Sequence, residues 1–227
     1  MSFKSNGYTF KPHEMPIMIG SPASPDHPKR RRIAYLVIGI LLAMACGLQN
    51  GLMMAALPEI TAQLRLTVQE TGWVQVSYYM AYACMSVWFF KIRQHFGLNV
   101  YVRWVLIFLL AANGLQLWAN SFAVEIASRA FSGIAASGLL VLSMFYLMQA
   151  FPGAAKVVGL ALALGLMQLG IPLARATVPY MVRDGEVQNV FWLAAAITVL
   201  CIGSVSLLPI PPGQTKKTLT KLDWISF

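Results

Sequence analysis

Only a few of the 227 residues can do chemistry, and they sit in unusual places. Arg129 lies inside a long apolar run from Phe122 to Phe151, and Arg175 inside another from Ala155 to Met181. A charged side chain in an apolar run of membrane length is costly, so each arginine is a functional candidate by default. Glu125 precedes Arg129 by four residues on the same helical face, and simple pairing of the two is the competing reading. A third run, Gly72 to Phe90, carries Gln75, Tyr79 and Tyr82 at i, i+4 and i+7, with Tyr78 beside them. These residues share a helical face, which suits a binding cavity or ordinary hydrogen bonding between helices equally well. Gln49, Asn50, Asn113, Gln116 and Gln168 are further amides within apolar runs, and each alone serves more often as packing glue than as a ligand contact. The sequence has no Gly-rich phosphate loop, no metal-ligand spacing and no nucleophile–base pair. No enzyme, cofactor or metal site is expected.

The elements that hold these residues follow from composition. Hydrophobic residues make up 58% of the chain and charged residues 11%, with a mean hydropathy of +0.64. A soluble domain carries about 25% charged residues, so this chain cannot build a water-exposed surface all round. Its apolar runs approach the roughly 20 residues that cross a bilayer. In lipid the backbone must satisfy its own hydrogen bonds, so each run is expected to be a helix. The formal charge of +9 does not indicate nucleic acid, because the basic residues cluster between the runs. Cys46, Cys84 and Cys201 all fall within apolar runs and form no disulfide or metal pattern.

Six spans are expected, near 33–57, 72–90, 100–119, 122–151, 155–181 and 190–208. Pro58 is expected to stop the first, Pro152-Gly153 the fourth, and the Pro209–Gly213 cluster the sixth. Residues 1–32, rich in proline and ending in Lys29-Arg30-Arg31-Arg32, are expected to be a disordered tail with a basic anchor. Residues 33–210 are expected to form the six-helix membrane domain and 211–227 a cytoplasmic linker toward a seventh helix. Thirteen of the seventeen lysines and arginines fall on one side of this arrangement. The positive-inside rule then puts both termini in the cytoplasm of a cell (inner or plasma) membrane. Gly47-x3-Gly51-x3-Ala55 and Gly133-x3-Ser137 are small-residue patterns that let helices approach closely.

Four stretches resemble a known family. Ala56-Leu57-Pro58-Glu59-Ile60 resembles its "VALP-x-I", and Gly72-Trp73-Val74 with Tyr78 and Ala81 resembles "GWV-x3-Y-x-x-A". Arg129-Ala130-x-x-Gly133-x-Ala135-Ala136 is similar to "RA-x-QG-x-GAA" in helix four. Lys221-Leu222-Asp223-Trp224-Ile225 resembles the "DWIG" that opens helix seven. Together they resemble the N-terminal six-helix half of a major facilitator superfamily transporter, closest to the fourteen-helix drug:proton antiporter branch. The resemblance implies an all-α half bundle of 3+3 inverted repeats. It also implies efflux of small, mostly hydrophobic compounds by alternating access, coupled to protons.

The departures are specific. The family's 2–3 loop, G-x-L-x-D-R-x-G-R-R, aligns with Phe90 to Asn99, where only Gly97 clearly matches and Gln94 replaces the acid. The helix-one acid aligns with Gln49, and the helix-five motif "G-P-x-x-GG" is blurred at Gly170 to Arg175. The expected substrate path is Arg129, Gln49, Asn50, Gln75, Tyr78, Tyr79, Tyr82, Gln168 and Arg175. The expected gating loop contains Gln94, His95 and Gly97. The expected partners are the lipid bilayer, a small-molecule substrate, and a second copy or complementary half-transporter, since six helices supply one wall of such a site. The alternative is a degenerate, non-transporting membrane protein that acts as an interaction partner.

Overall fold

The computed structural model describes residues 3–5, 7–182 and 186–215. Arg183 and the stretch resembling the start of helix seven lie outside these residues. Six helices dominate: α1 (Lys29–Leu64), α2 (Val68–Phe96), α3 (Leu98–Leu117), α4 (Phe122–Ala150), α5 (Lys156–Met181) and α6 (Gln188–Leu207). Five of them are long and apolar enough to cross a membrane; the exception is α2, the helix that carries the tyrosine and glutamine face.

Local chemistry sets the helix ends. Thr67 caps α2 and exchanges hydrogen bonds with Glu70 in a capping box, Glu70 N–H to Thr67 Oγ1 at 3.3 Å and Thr67 N–H to Glu70 Oε2 at 2.8 Å. Arg65 closes α1 in the left-handed conformation, φ 52°. Pro58 does not stop α1, which runs on to Leu64. A proline removes one intrahelical bond, a loss that membrane helices tolerate where packing re-satisfies the backbone. At 36 residues α1 is about 54 Å long, well beyond a hydrocarbon core of about 30 Å. The expected 2–3 loop is also shorter than the sequence suggested. Gln94 and His95 lie in the last turns of α2, and Gly97, at φ +87°, is the only residue between α2 and α3. Nothing before Gly97 breaks the helix.

Packing pairs the two triplets. The first helix of each, α1 or α4, packs on the second helix of the other, α5 or α2. Likewise α3 packs on α4 and α6 packs on α1. This exchange is the pattern of a 3+3 repeat, with α1 and α4 at the centre. Gly47 and Gly51 face Gly170 and Ala174 across the α1–α5 crossing, backbone against backbone. Gly133 meets the α2 backbone at Tyr78 and Tyr82 in the same way. Such approaches supply dispersion contact where lipid gives helices no hydrophobic reason to associate.

A polar lattice ties the outer helices to α1. Gln49 Nε2 donates to the Ala194 carbonyl and to Thr198 Oγ1, both at 3.0 Å. Asn113 Nδ2 donates to the same hydroxyl at 2.6 Å. Gln49 is thereby committed to joining α1, α3 and α6 and does not reach the Arg129 face.

The N-terminal residues differ from the expected disordered tail. A short hairpin, β1 (Lys4–Ser5) with β2 (Tyr8–Thr9), precedes a 3₁₀ turn at Pro12–Glu14, and the chain then crosses the end of the bundle where α1 begins. The ordering has a physical centre in Glu14, which is 1% exposed. Its carboxylate accepts from Lys11 N–H at 2.9 Å, Asp26 N–H at 3.2 Å and the Tyr8 hydroxyl at 3.2 Å.

Two predictions follow from this packing. Gly170→Ala places a methyl against the Gly47 backbone and lowers stability by about 1–3 kcal/mol in thermal unfolding of purified protein. Gly165→Ala, which faces open space, leaves the midpoint nearly unchanged. The second concerns acid. The Lys11 N–H bond holds Glu14 below the usual carboxylate range, and burial holds His27 below the usual imidazole value. A folded-state pKa below the unfolded one stabilises above the unfolded value and is lost as pH falls through the folded one. Amide exchange over residues 10–27, relative to an unstructured peptide of that sequence, therefore accelerates as pH drops below about 6.5 and again below about 4.3.

Candidate functional site

The site is built on three helices. The glycine-mediated crossing of α4 on α2 brings Arg129 under the tyrosine face, and α1 supplies Asn50 from the other side. Arg129 is 2% exposed. Its Nη2 donates to Asn50 Oδ1 at 3.0 Å, and its guanidinium carbon lies 4.6 Å from the centre of the Tyr78 ring. Asn50 turns its Nδ2 toward the Tyr79 hydroxyl at 3.2 Å and the Met54 sulfur at 3.6 Å. Tyr78 in turn meets Tyr79 edge-on at 5.3 Å and stacks on Tyr82 at 6.1 Å. Gln75, Met53, Met54, Leu57 and Val74 line a space of about 10 Å³ beside Arg129, about the room one water needs.

The electrostatics are unusual. The ion pair of His13 with Asp26, at 3.2 Å, lies well outside this site. Glu125 is 1% exposed, yet it does not close on Arg129 as a simple pair would; its Oε1 accepts from Gln116 Nε2 on α3 at 3.1 Å. Gln116 reaches the acid from α3 while Asn50 reaches the arginine from α1, so the two side chains are held by different neutral amides. A buried cation usually needs an opposite charge. Here an amide oxygen and an aromatic face take that place, and a cation–π contact in a desolvated setting contributes about 2 kcal/mol.

The structure sorts the residues singled out in the sequence. Arg129, Asn50, Gln75, Tyr78, Tyr79 and Tyr82 come together. Gln168 and Arg175 do not join them: both are exposed on α5, away from the face formed by Gly170, Ala174 and Val178. Gln94, His95 and Gly97 lie at the far end of α2. Sequence reasoning missed Met54, one turn after Asn50, and the Gln116–Glu125 bond. Met54 carried no signal beyond its spacing.

The profile of the Major Facilitator Superfamily matches residues 29–225. The chain belongs to that superfamily. Among curated relatives, the "MFS-type transporter olcL" of Penicillium canescens is 28% identical over 131 residues, covering 57% of this chain and 22% of the relative. The "MFS-type transporter calB" of Penicillium decumbens is 28% identical over 160 residues, 66% of this chain and 28% of that protein. The chain thus spans about a quarter of the length of the curated relatives it matches. Six packed helices in exchanged triplets are what a superfamily half bundle requires.

The Arg129–Asn50 contact predicts non-additive energetics. Asn50→Ala strips the guanidinium of its acceptor and costs about 1–3 kcal/mol in thermal unfolding. With Arg129→Met already in place, Asn50→Ala costs much less, since no buried cation is left unpaired.

Proposed function

We propose that this chain forms one wall of a small-molecule transporter that works by alternating access, with Arg129 at its binding site. The observation that carries this reading is the buried guanidinium at the meeting point of α1, α2 and α4, held by neutral groups. Intramembrane charges of this kind line substrate and ion pathways. The family membership and the names of the two relatives support transport as the activity. The aromatic and methionine lining suits small, mostly hydrophobic compounds that carry one polar group for Arg129 to hold. Export of such compounds, on the pattern of the fourteen-helix branch, is the reading we favour. The basic end of the bundle, with Lys29–Arg32, Lys91, Arg103 and Lys156, faces the cytoplasm by the positive-inside rule.

The site as it stands is closed, with room for about one water. Superfamily folds place substrate between two halves that rock against each other. A complementary half, from further sequence or a second copy, supplies the opposite wall, and the closed form opens as the halves part. Proton coupling requires a group that gains and loses a proton, and arginine does not. Glu125, beside the site, is the carboxyl this chain offers. A second reading, a non-transporting interaction partner, is favoured by the amides at Gln49 and Gln94, where the family carries acids.

Export of a fluorescent hydrophobic dye from cells expressing the complete carrier distinguishes the two. Arg129→Ala reduces export roughly tenfold or more, equal to about 1.4 kcal/mol of lost stabilisation, while Arg175→Ala changes it little. No change with Arg129→Ala at equal expression removes the transport reading of this site. Export that persists unaltered when the pH gradient is collapsed removes proton coupling.

A further inference from the structure

Residues 3–28 lie outside the superfamily match, yet they are fastened to the rest of the chain. The bonds to Glu14 close residues 8–26 into a loop, and Ser24 N–H adds one to the Glu14 carbonyl at 2.9 Å. The far side of that loop, residues 19–24, lies in a groove with three walls. The end of α2 is the first: Gln94 Nε2 donates to the Ile19 carbonyl at 3.2 Å. The end of α4 is the second: Gln149 Nε2 donates to the Ala23 carbonyl at 3.0 Å and to Ser24 Oγ at 3.3 Å. The chain after α6 is the third: Gly20 N–H and Ala23 N–H donate to the carbonyls of Gln214 and Pro212, both at 3.0 Å, around an antiparallel bridge between Pro22 and Gly213.

The fit selects small residues. A Cβ on Gly20 would sit 3.0 Å from Gln94 Cγ and 3.3 Å from Arg93 Nε, and Gly20 is at φ +83°. Ser21, Ala23 and Ser24 are 6%, 0% and 8% exposed. Below them Arg93 is 7% exposed, stacked on Phe145 at 4.8 Å, with its Nε unbonded among the described residues. Main-chain hydrogen bonds supply the binding and the absence of room for side chains supplies the selectivity, as when a sheet edge takes an extended peptide.

We propose that the basic end of the bundle is a peptide-binding groove whose resident ligand is residues 19–24 of the same chain, and that this strap locks the ends of α2 and α4 to the segment after α6. The ligand class is an extended, small-residue segment. The three walls also meet directly, through Arg93 of α2 on Phe145 of α4 and the Tyr146 hydroxyl of α4, which donates to the Leu208 carbonyl at 2.7 Å. The strap adds hydrogen bonds to all three at once, so a larger shift at that end requires it to leave. The strap is a two-state element, and anything that binds the groove or the free strap biases it.

The test needs no substrate, so it reads separately from the transport assay. In detergent-solubilised full chain with Cys46, Cys84 and Cys201 replaced by serine, Ser21→Cys is labelled with a maleimide, alongside Met18→Cys, which is 59% exposed. Ser21→Cys reacts at least tenfold more slowly than Met18→Cys, and adding Gln94→Ala with Gln149→Ala brings the rates together. Equal rates without those substitutions, or no acceleration with them, overturn the groove. A second variant guards against misfolding: Gly20→Leu, whose side chain has no room against Gln94 and Arg93, expels the strap from protein of unchanged helical content. Amide exchange at 90–97 and 145–150 then accelerates at least tenfold. Slow Ser21→Cys labelling retained in the Gly20→Leu background overturns the docking, and unchanged exchange overturns the lock.

Discussion

Close backbone contact between helices is the constraint on which the rest of this molecule depends. Lipid is as apolar as leucine, so burying leucine between two membrane helices gains little. What does hold helices together is dispersion over a large, closely fitted surface, and that needs small residues at the crossing. Gly47 against Gly170 and Gly133 against the α2 backbone provide the two such crossings that matter most. They make α1 and α4 the centre, and they set α2 against α4 at the height of Tyr78. Without the second crossing Arg129 would not lie under a tyrosine ring.

Polar residues inside the bundle divide into two groups with different physics. Gln49, Asn113 and Thr198 satisfy one another and the Ala194 carbonyl, a closed lattice with no charge. It fixes α6 and α3 to α1. Arg129 and Glu125, one turn apart, are each held by a neutral partner, Asn50 and Gln116. The guanidinium is held by an amide oxygen and an aromatic face in place of a carboxylate.

At the basic end, order comes from a different source. There the amides Gln94 and Gln149 project toward the N-terminal segment. Backbone carbonyls of that segment take up both amides, and Glu14 takes up its backbone N–H groups in turn. A proline-rich stretch has lost little by being fixed, because its unfolded chain was already restricted. That is why a segment with no apolar core of its own can still lie in one place.

The sequence by itself determined the membrane class, the helix count and most helix limits, because length, hydropathy and the small residues at fixed spacing are local properties. It singled out Arg129 and the α2 tyrosines, which the structure brings together, because a charge or an aromatic-polar face is conspicuous in an apolar run. It could not sort the amides: Gln49 and Asn50 are neighbours in the chain, yet helix rotation sends one to α6 and the other to Arg129. It mistook Pro58 for an end, since the support that lets α1 pass a proline comes from other helices. It took the prolines of the N-terminal segment for disorder, since composition shows the absence of a local core and not the presence of a distant groove. Only the tertiary structure decided these, because each depends on which residue of another helix stands opposite.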